Sequence, residues 1–282
     1  MIRIITDSAA DFEPQELEQL HITCIPLSVH FGETDYQENV NLTKTQFYEL
    51  LLHSEESPKT SQAAPQTLLD LFEDAVKNGE EVIYFTLSSA LSGTYQSAVM
   101  AKNLADSPLC HVVDSRNATG GQRMVLEYAV RLRDEGKTAE EIIDATEALR
   151  SRIVLFACID TLEYLYKGGR ISHAVYKLGT LANIKPIITV ERDGHVGIPA
   201  KAMGMRKGMD YMGKRVEALT PDPEFPFYVM YTNNRDVART LAGKLRTQGL
   251  EIPEERLIQV GAAIGTHIGP DACGLVYVEK AD

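Results

Sequence analysis

The chain has 282 residues, of which 44% are hydrophobic and 24% charged, and it carries a formal net charge of -12. That length is generous for one hydrophobic core and comfortable for two, and the composition is that of an ordinary globular protein. The acidic balance excludes nucleic acid or an anionic membrane surface as the main partner, since either calls for a basic patch, and no apolar run approaches the roughly 18 residues of a membrane span.

The first strand is expected over residues 2–6 and ends in Thr6-Asp7-Ser8; no basic region with a long apolar segment precedes it, so no signal peptide is expected. Asp11 or Glu13 is placed to cap the next helix, with Pro14 in its first turn, where a missing N–H does no harm. Residues 22–31 read as extended and Gly32 as a turn. Asn41 or Thr43 then starts a helix through Leu42, Phe47, Leu50 and Leu51. Residues 53–64 form a loop carrying Pro58-Lys59-Thr60-Ser61-Gln62, and Pro65 opens a helix through Leu68, Leu69, Phe72 and Val76.

Residues 82–86, Val-Ile-Tyr-Phe-Thr, have the character of a strand buried on both faces of a parallel sheet. Behind it Ser88, Ser89, Ser92, Thr94 and Ser97 crowd into a turn that opens a helix, because Tyr95, Ala98, Val99, Ala101 and Leu104 fall at helical spacing. Hydroxyls there stand at the carboxyl end of a strand and the amino end of a helix. Open α/β sheets hold ligands at that place, and free N–H groups and the helix dipole attract an anion. One hydroxyl is enough for an N-cap; the surplus beside Gly93 reads as an oxyanion cradle.

A strand over 109–113 ends at Asp114-Ser115, and helices follow over 122–134 and 138–150, the second with a Thr138 to Glu141 capping box. Asp7 and Asp114 are read as turn caps. Strands alternating with helices give βαβ units, so residues 1–152 are expected to form a three-layer α/β/α domain on a parallel sheet.

From residue 153 the rhythm changes. A strand over 153–159 leads to a short helix broken by Gly168-Gly169, and Ser172 caps the next. Strands over 186–190 and 196–199 flank Asp193-Gly194, a hairpin dipeptide, so antiparallel pairing enters. A helix over 205–219, a connector with Pro221, Pro223 and Pro226, a strand over 227–231, a helix capped by Asn233 or Asn234, and strands near 256–260 and 275–278 complete a second α/β domain, residues 153–282, with a mixed sheet. The four cysteines, Cys24, Cys110, Cys158 and Cys273, lie far apart in or beside apolar runs, the usage of buried thiols in a reducing cytoplasm. The histidines show no ligand spacing, so neither a metal nor a cofactor is expected.

Several polar segments stand at strand ends or in loops: Thr6-Asp7-Ser8, Thr60-Ser61-Gln62, Leu87 to Gln96, Asp114-Ser115, Tyr166 to Ile171 and Gly265 to Pro270. As a set, the Ser92-Gly93-Thr94-Tyr95-Gln96, Gly168-Gly169-Arg170-Ile171 and Gly265-Thr266-His267-Ile268-Gly269-Pro270 blocks resemble the DegV family of fatty-acid-binding proteins over nearly the whole chain. The resemblance implies a two-domain α/β protein that buries one long-chain fatty acid, such as palmitate, with its carboxylate between the domains. Similar proteins are the lipid-presenting subunits of a bacterial fatty acid kinase, whose separate ATP-binding subunit phosphorylates the acid. Carried over by position, Thr60 or Ser61 and Ser92 bind the carboxylate, and the block with Thr266 and His267 closes the site from the second domain. Arg170 matches an arginine that faces the kinase. Family members with the kinase role commonly carry an arginine where this chain has Met203, with Lys201 and Arg206 placed to compensate; that departure counts against the kinase partner and leaves lipid binding untouched.

On this reading the protein is a cytoplasmic carrier with no catalytic residue. Its rival is a serine hydrolase acting on acyl substrates, with Ser92 as nucleophile, His267 as base and Asp7 or Asp114 as orienter. Against it, residues 88–94 lack the Gly-x-Ser-x-Gly elbow. A nucleotide binder is disfavoured because neither Gly-x-Gly-x-x-Gly nor a P-loop motif occurs.

Overall fold

A computed structural model describes residues 1–177 and 183–281. The chain begins with β1 (Ile2–Asp7), a 3-10 turn at Ser8–Ala10 and α1 (Pro14–Gln19), whose N-cap is Glu13 rather than Asp11. The extended stretch after it is two strands, β2 (Ile22–Ile25) and β3 (Ser28–Phe31), in different sheets. Pro26 between them has no N–H to give a ladder, so pairing stops there. β4 (Thr34–Gln37) returns beside β3, and α2 (Lys44–His53) starts at a Thr43 capping box. The expected loop at 53–64 contains β5 (Lys59–Ser61), which pairs with β3 through Val29 to Thr60 and its neighbours. α3 (Pro65–Lys77), β6 (Glu81–Thr86), α4 (Thr94–Ala105), β7 (Cys110–Asp114), α5 (Thr119–Asp134) and α6 (Ala139–Arg150) follow.

Strands β2-β1-β6-β7 form a parallel sheet in that order, and β4-β3-β5 form a small antiparallel sheet beside it. The parallel strands bury both faces. Tyr84 joins a core with α3 and α4, while Ile83 and Phe85 join one with α5 and α6. That is the three-layer arrangement which near-continuous apolar strands require.

The second half runs β8 (Ile153–Cys158), α7 (Glu163–Lys167), α8 (His173–Lys177), β9 (Ile184–Val190), β10 (Val196–Met203), α9 (Met205–Ala218), β11 (Tyr228–Tyr231), α10 (Arg235–Arg246), β12 (Leu257–Gln259), α11 (Ala262–Ile268) and β13 (Cys273–Val278). Its six-stranded sheet has the order β10-β9-β8-β13-β11-β12, antiparallel except between β11 and β12. Asn234 is the cap of α10. α11 replaces the loop expected around His267. It lies against α2, β3 and β5 of the first half as well as α7 of the second. The halves are further joined through α5 and α6, whose Met124 and Leu149 enter the core of the six-stranded sheet. No helix of the described residues is long and apolar enough to cross a membrane.

Candidate binding site between the halves

The segments that follow β2 and β6, the small sheet, α7 and α11 surround a cavity that continues over the apolar face of the six-stranded sheet. It measures about 920 Å³ with its mouth included. One end is polar, with Thr60, Ser92, Arg170 and His267 in the wall; the rest is lined by residues such as Leu155, Ile188, Val196, Met230, Val260 and Cys273. Small-molecule sites have this character, an apolar enclosure with a few convergent polar groups.

At the polar end the Thr60 hydroxyl oxygen is 3.0 Å from His267 Nε2. Strand β5 supplies the threonine and α11 the histidine, so the contact joins the halves. Burial, with the charge of Arg170 nearby, lowers the His267 pKa to about 3, and the ring is neutral at physiological pH. Its Nδ1 is buried and has no hydrogen-bond partner among the described residues. That atom lies against Gly168: a Cβ there would come within 2.1 Å of Nδ1, so only glycine admits the ring. Gly169 beside it has φ +73°, the left-handed region that glycine enters freely. Gly168→Ala is expected to destabilise the protein by about 1 to 3 kcal/mol, the usual effect of overpacking, and to displace the imidazole. Denaturant unfolding and the ring's NMR signals check the two effects.

The hydroxyls after β6 divide by role. Ser88 donates to the Gly194 carbonyl at 2.9 Å, tying the loop to the β9–β10 hairpin, and Ser97 accepts from Gln62 Nε2 at 2.8 Å. Thr94 accepts from the Ala63 N–H at 3.3 Å. Ser92 alone of the five lines the cavity, its oxygen 3.0 Å from the Thr94 hydroxyl and accepting from the Thr94 N–H at 3.2 Å. Asp7 and Asp114 are structural: Asp7 accepts from the N–H groups of Ala9 (3.2 Å) and Leu87 (2.9 Å), and Asp114 from those of Ser89 (3.2 Å) and Arg116 (2.8 Å). Ser92 and His267 therefore share a cavity, but they bond to Thr94 and Thr60 respectively, and among the described residues no carboxylate hydrogen-bonds the histidine. A triad of Ser92, His267 and Asp7 or Asp114 is not assembled.

Of the pair Thr60 and Ser61, the pleat sends alternate side chains to opposite faces. Thr60 faces α11; Ser61 also borders the cavity but is exposed, its side chain turned to the other face of the small sheet, 2.6 Å from His30 Nε2. His30 Nδ1 in turn lies 2.5 Å from Asp35, whose side chain is 77% exposed, so this Asp-His-Ser chain sits in water. Thr266 does not line the cavity; its hydroxyl donates to the Ala262 carbonyl one turn back at 2.8 Å. Arg170 turns inward, donating to the carbonyls of Leu91 (2.9 Å) and Gly168 (2.5 Å). Lys201, Met203 and Arg206 lie outside the cavity and are exposed.

The sequence reading missed what holds α11 in place. Glu38 and Asp11, both buried, accept hydrogen bonds from the backbone N–H groups of residues 261–263. An Asp or Glu in a polar stretch carries no local signal that it will be buried.

Comparison with known proteins agrees with this architecture. A family model described as an uncharacterised protein of the DegV family matches residues 1–280. DegV domain-containing proteins of Caldanaerobacter subterraneus subsp. tengcongensis and Halalkalibacterium halodurans are each 35% identical to the chain over 280 and 283 residues, covering 99% of both sequences in each pair. A stearic acid-binding protein from Eubacterium ventriosum superposes with a TM-score of 0.89 at 26% identity, over 99% of both chains. A DegV family protein from Thermus thermophilus, described by its fatty acid binding, does so with a TM-score of 0.89 at 28% identity, again over 99% of both.

Proposed function

We propose, starting from the fact that the chain belongs to the DegV family, that it binds one long-chain fatty acid such as palmitate, with the acyl chain in the cavity and the carboxylate against Thr60, Ser92 and His267. The observation that carries this reading is a mostly apolar cavity that meets, at its polar end, a Thr60–His267 pair contributed by both halves. A neutral imidazole has one donor and one acceptor. With Nε2–H donating to Thr60, the threonine keeps its own O–H for the carboxylate, and the partnerless Nδ1 is left as a bare acceptor. Ser92 supplies a second hydroxyl and Arg170 a half-buried positive charge. A carboxylate held mainly by hydroxyls, with Arg170 only half-buried beside it, needs no fully buried ion pair, and the apolar tail provides most of the affinity.

The protein then acts as a carrier rather than an enzyme, in the cytoplasm, where its four free thiols stay reduced. The two halves, meeting near Arg152, act as the domains that close on the head group. Presentation to an ATP-dependent kinase subunit is the further step. Lys201 and Arg206 offer exposed cations for such a partner, while Arg170 is committed to the cavity wall and Met203, 55% exposed, offers an apolar contact where kinase-associated relatives carry an arginine.

Mass spectrometry of an organic extract of the purified protein is expected to yield a long-chain fatty acid at about one per chain. Thr60→Ala and Ser92→Ala are each expected to weaken palmitate binding by about 1 to 3 kcal/mol, the cost of removing a buried polar partner. Calorimetric titration checks this, and wild-type affinity in both variants would move the head group elsewhere.

A further inference from the structure

We propose that Glu38 is a positioning residue for the head-group site: its buried carboxylate, with that of Asp11, grips the entry to α11 and so sets His267 against Thr60. Glu38 follows β4 and is only 1% exposed. Its Oε1 accepts from the Ala262 N–H, and its Oε2 accepts from the Ala263 N–H at 3.4 Å and from the Ser8 hydroxyl at 2.7 Å. Asp11 accepts from the Gly261 N–H at 2.8 Å and from the Thr119 hydroxyl. Tyr48 of α2 completes the grip, donating to the Val260 carbonyl at 2.9 Å.

The orphan N–H groups and positive end of a helix favour a carboxylate. Here the carboxylates come from the first half and the helix from the second. α11 has 7 residues and two of its neighbours in the chain are glycines, so it has little intrinsic stability of its own. Its orientation is therefore imposed from outside, and the polar end of the cavity depends on it: Ala263, Ile264, His267 and Ile268 all line the wall. The same Ser8 oxygen accepts from the N–H of Leu27, another wall residue, at 3.0 Å. Glu38 touches no ligand in this scheme. It acts through α11, and through Ser8.

This inference rests on the fatty acid reading, but its test does not. Glu38→Gln keeps the side chain's size while withdrawing one acceptor and the charge. It is compared with wild type at pH 8, because burial and the neighbouring Asp11 carboxylate raise the Glu38 pKa to about 7 and only above that is the wild-type group fully ionised. The substitution is expected to weaken palmitate binding about tenfold or more, the loss associated with a hydrogen bond to a charged group. It is also expected to shift the His267 ring nitrogen resonances in the ligand-free protein and to speed hydrogen exchange at Ala262 and Ala263. In a double-mutant cycle with Thr60→Ala the two losses are expected to fall well short of multiplying, because both act through the Thr60–His267 contact. Ser8→Ala, which removes one donor to Glu38, is measured alongside and should show the same signature at smaller size. Should Glu38→Gln prevent folding, Ser8→Ala decides alone. If wild-type protein does not bind palmitate, the proposed function fails and the ring resonances still judge Glu38. If it binds and Glu38→Gln leaves those resonances unchanged, or the losses multiply, Glu38 has no positioning role.

Discussion

Replacing palmitate by dodecanoate is expected to weaken binding by about 3 kcal/mol, roughly 200-fold, because four methylenes at about 0.8 kcal/mol each leave the apolar part of the cavity. The two acids carry the same carboxylate, so contacts with Thr60, Ser92 and His267 cancel in the difference. What remains is burial against residues such as Leu155, Ile188, Val196 and Met230, which belong to β8, β9, β10 and β11 of the six-stranded sheet. The slope per methylene should be the same in wild type and Thr60→Ala, since head and tail sites do not share partners. Titration of a series of saturated acids, each kept below its aggregation limit, measures it. A flat series would mean that the tail lies in water and that the cavity is not its seat.

The parts of this site that were legible in the sequence are those written in local signals. Thr43, Pro65 and the Thr138 to Glu141 box start helices at the expected places because a cap or a first-turn proline acts on its own neighbours. Gly168-Gly169 marked a helix break for the same kind of reason. β5 was not legible: three residues have no period of their own, and the strand exists because β3 offers it a ladder. Without β5 the choice between Thr60 and Ser61 could not be made, since it depends on which side of the pleat faces α11. The hydroxyl cluster after β6 was found, yet its division into one wall residue and several ties is decided by partners distant in sequence, Gln62, Ala63 and Gly194. α11 was hidden most fully. Its glycines argue against a helix, and the groups that fix it, Glu38 and Asp11, lie more than 200 residues earlier.

Arg123→Met is expected to lower stability by about 3 kcal/mol at neutral pH, which for a chain of this size is a fall of roughly 6 to 12 °C in the unfolding midpoint. Arg123 on α5 is 4% exposed, and its guanidinium donates to Glu127 at 2.9 Å and to both carboxylate oxygens of Glu16 on α1. It lies over the rings of Phe12, at 4.4 Å, and of Tyr228 on β11, at 5.0 Å, so it also fastens the first half to the second. Met keeps the aliphatic volume but strands two carboxylates. Their side chains are 33% and 21% exposed, so water reaches them and the loss sits at the low end for a broken buried pair. Burial alone would raise the Glu16 pKa, but hydrogen bonds from Arg123 and the Glu13 backbone outweigh it and hold the carboxyl below its ordinary 4.5. A depressed acid contributes stability above its unfolded pKa, and that contribution is lost as pH falls through the folded value. The gap between wild type and Arg123→Met should therefore be full at pH 7 and narrow below about pH 4.5. Adding Glu16→Gln to the variant should recover part of the loss by removing one stranded charge. Denaturant unfolding at pH 7 and pH 4 gives the comparison; a gap that stays the same on acidification would show that Arg123 stabilises by packing on the two rings and not by charge.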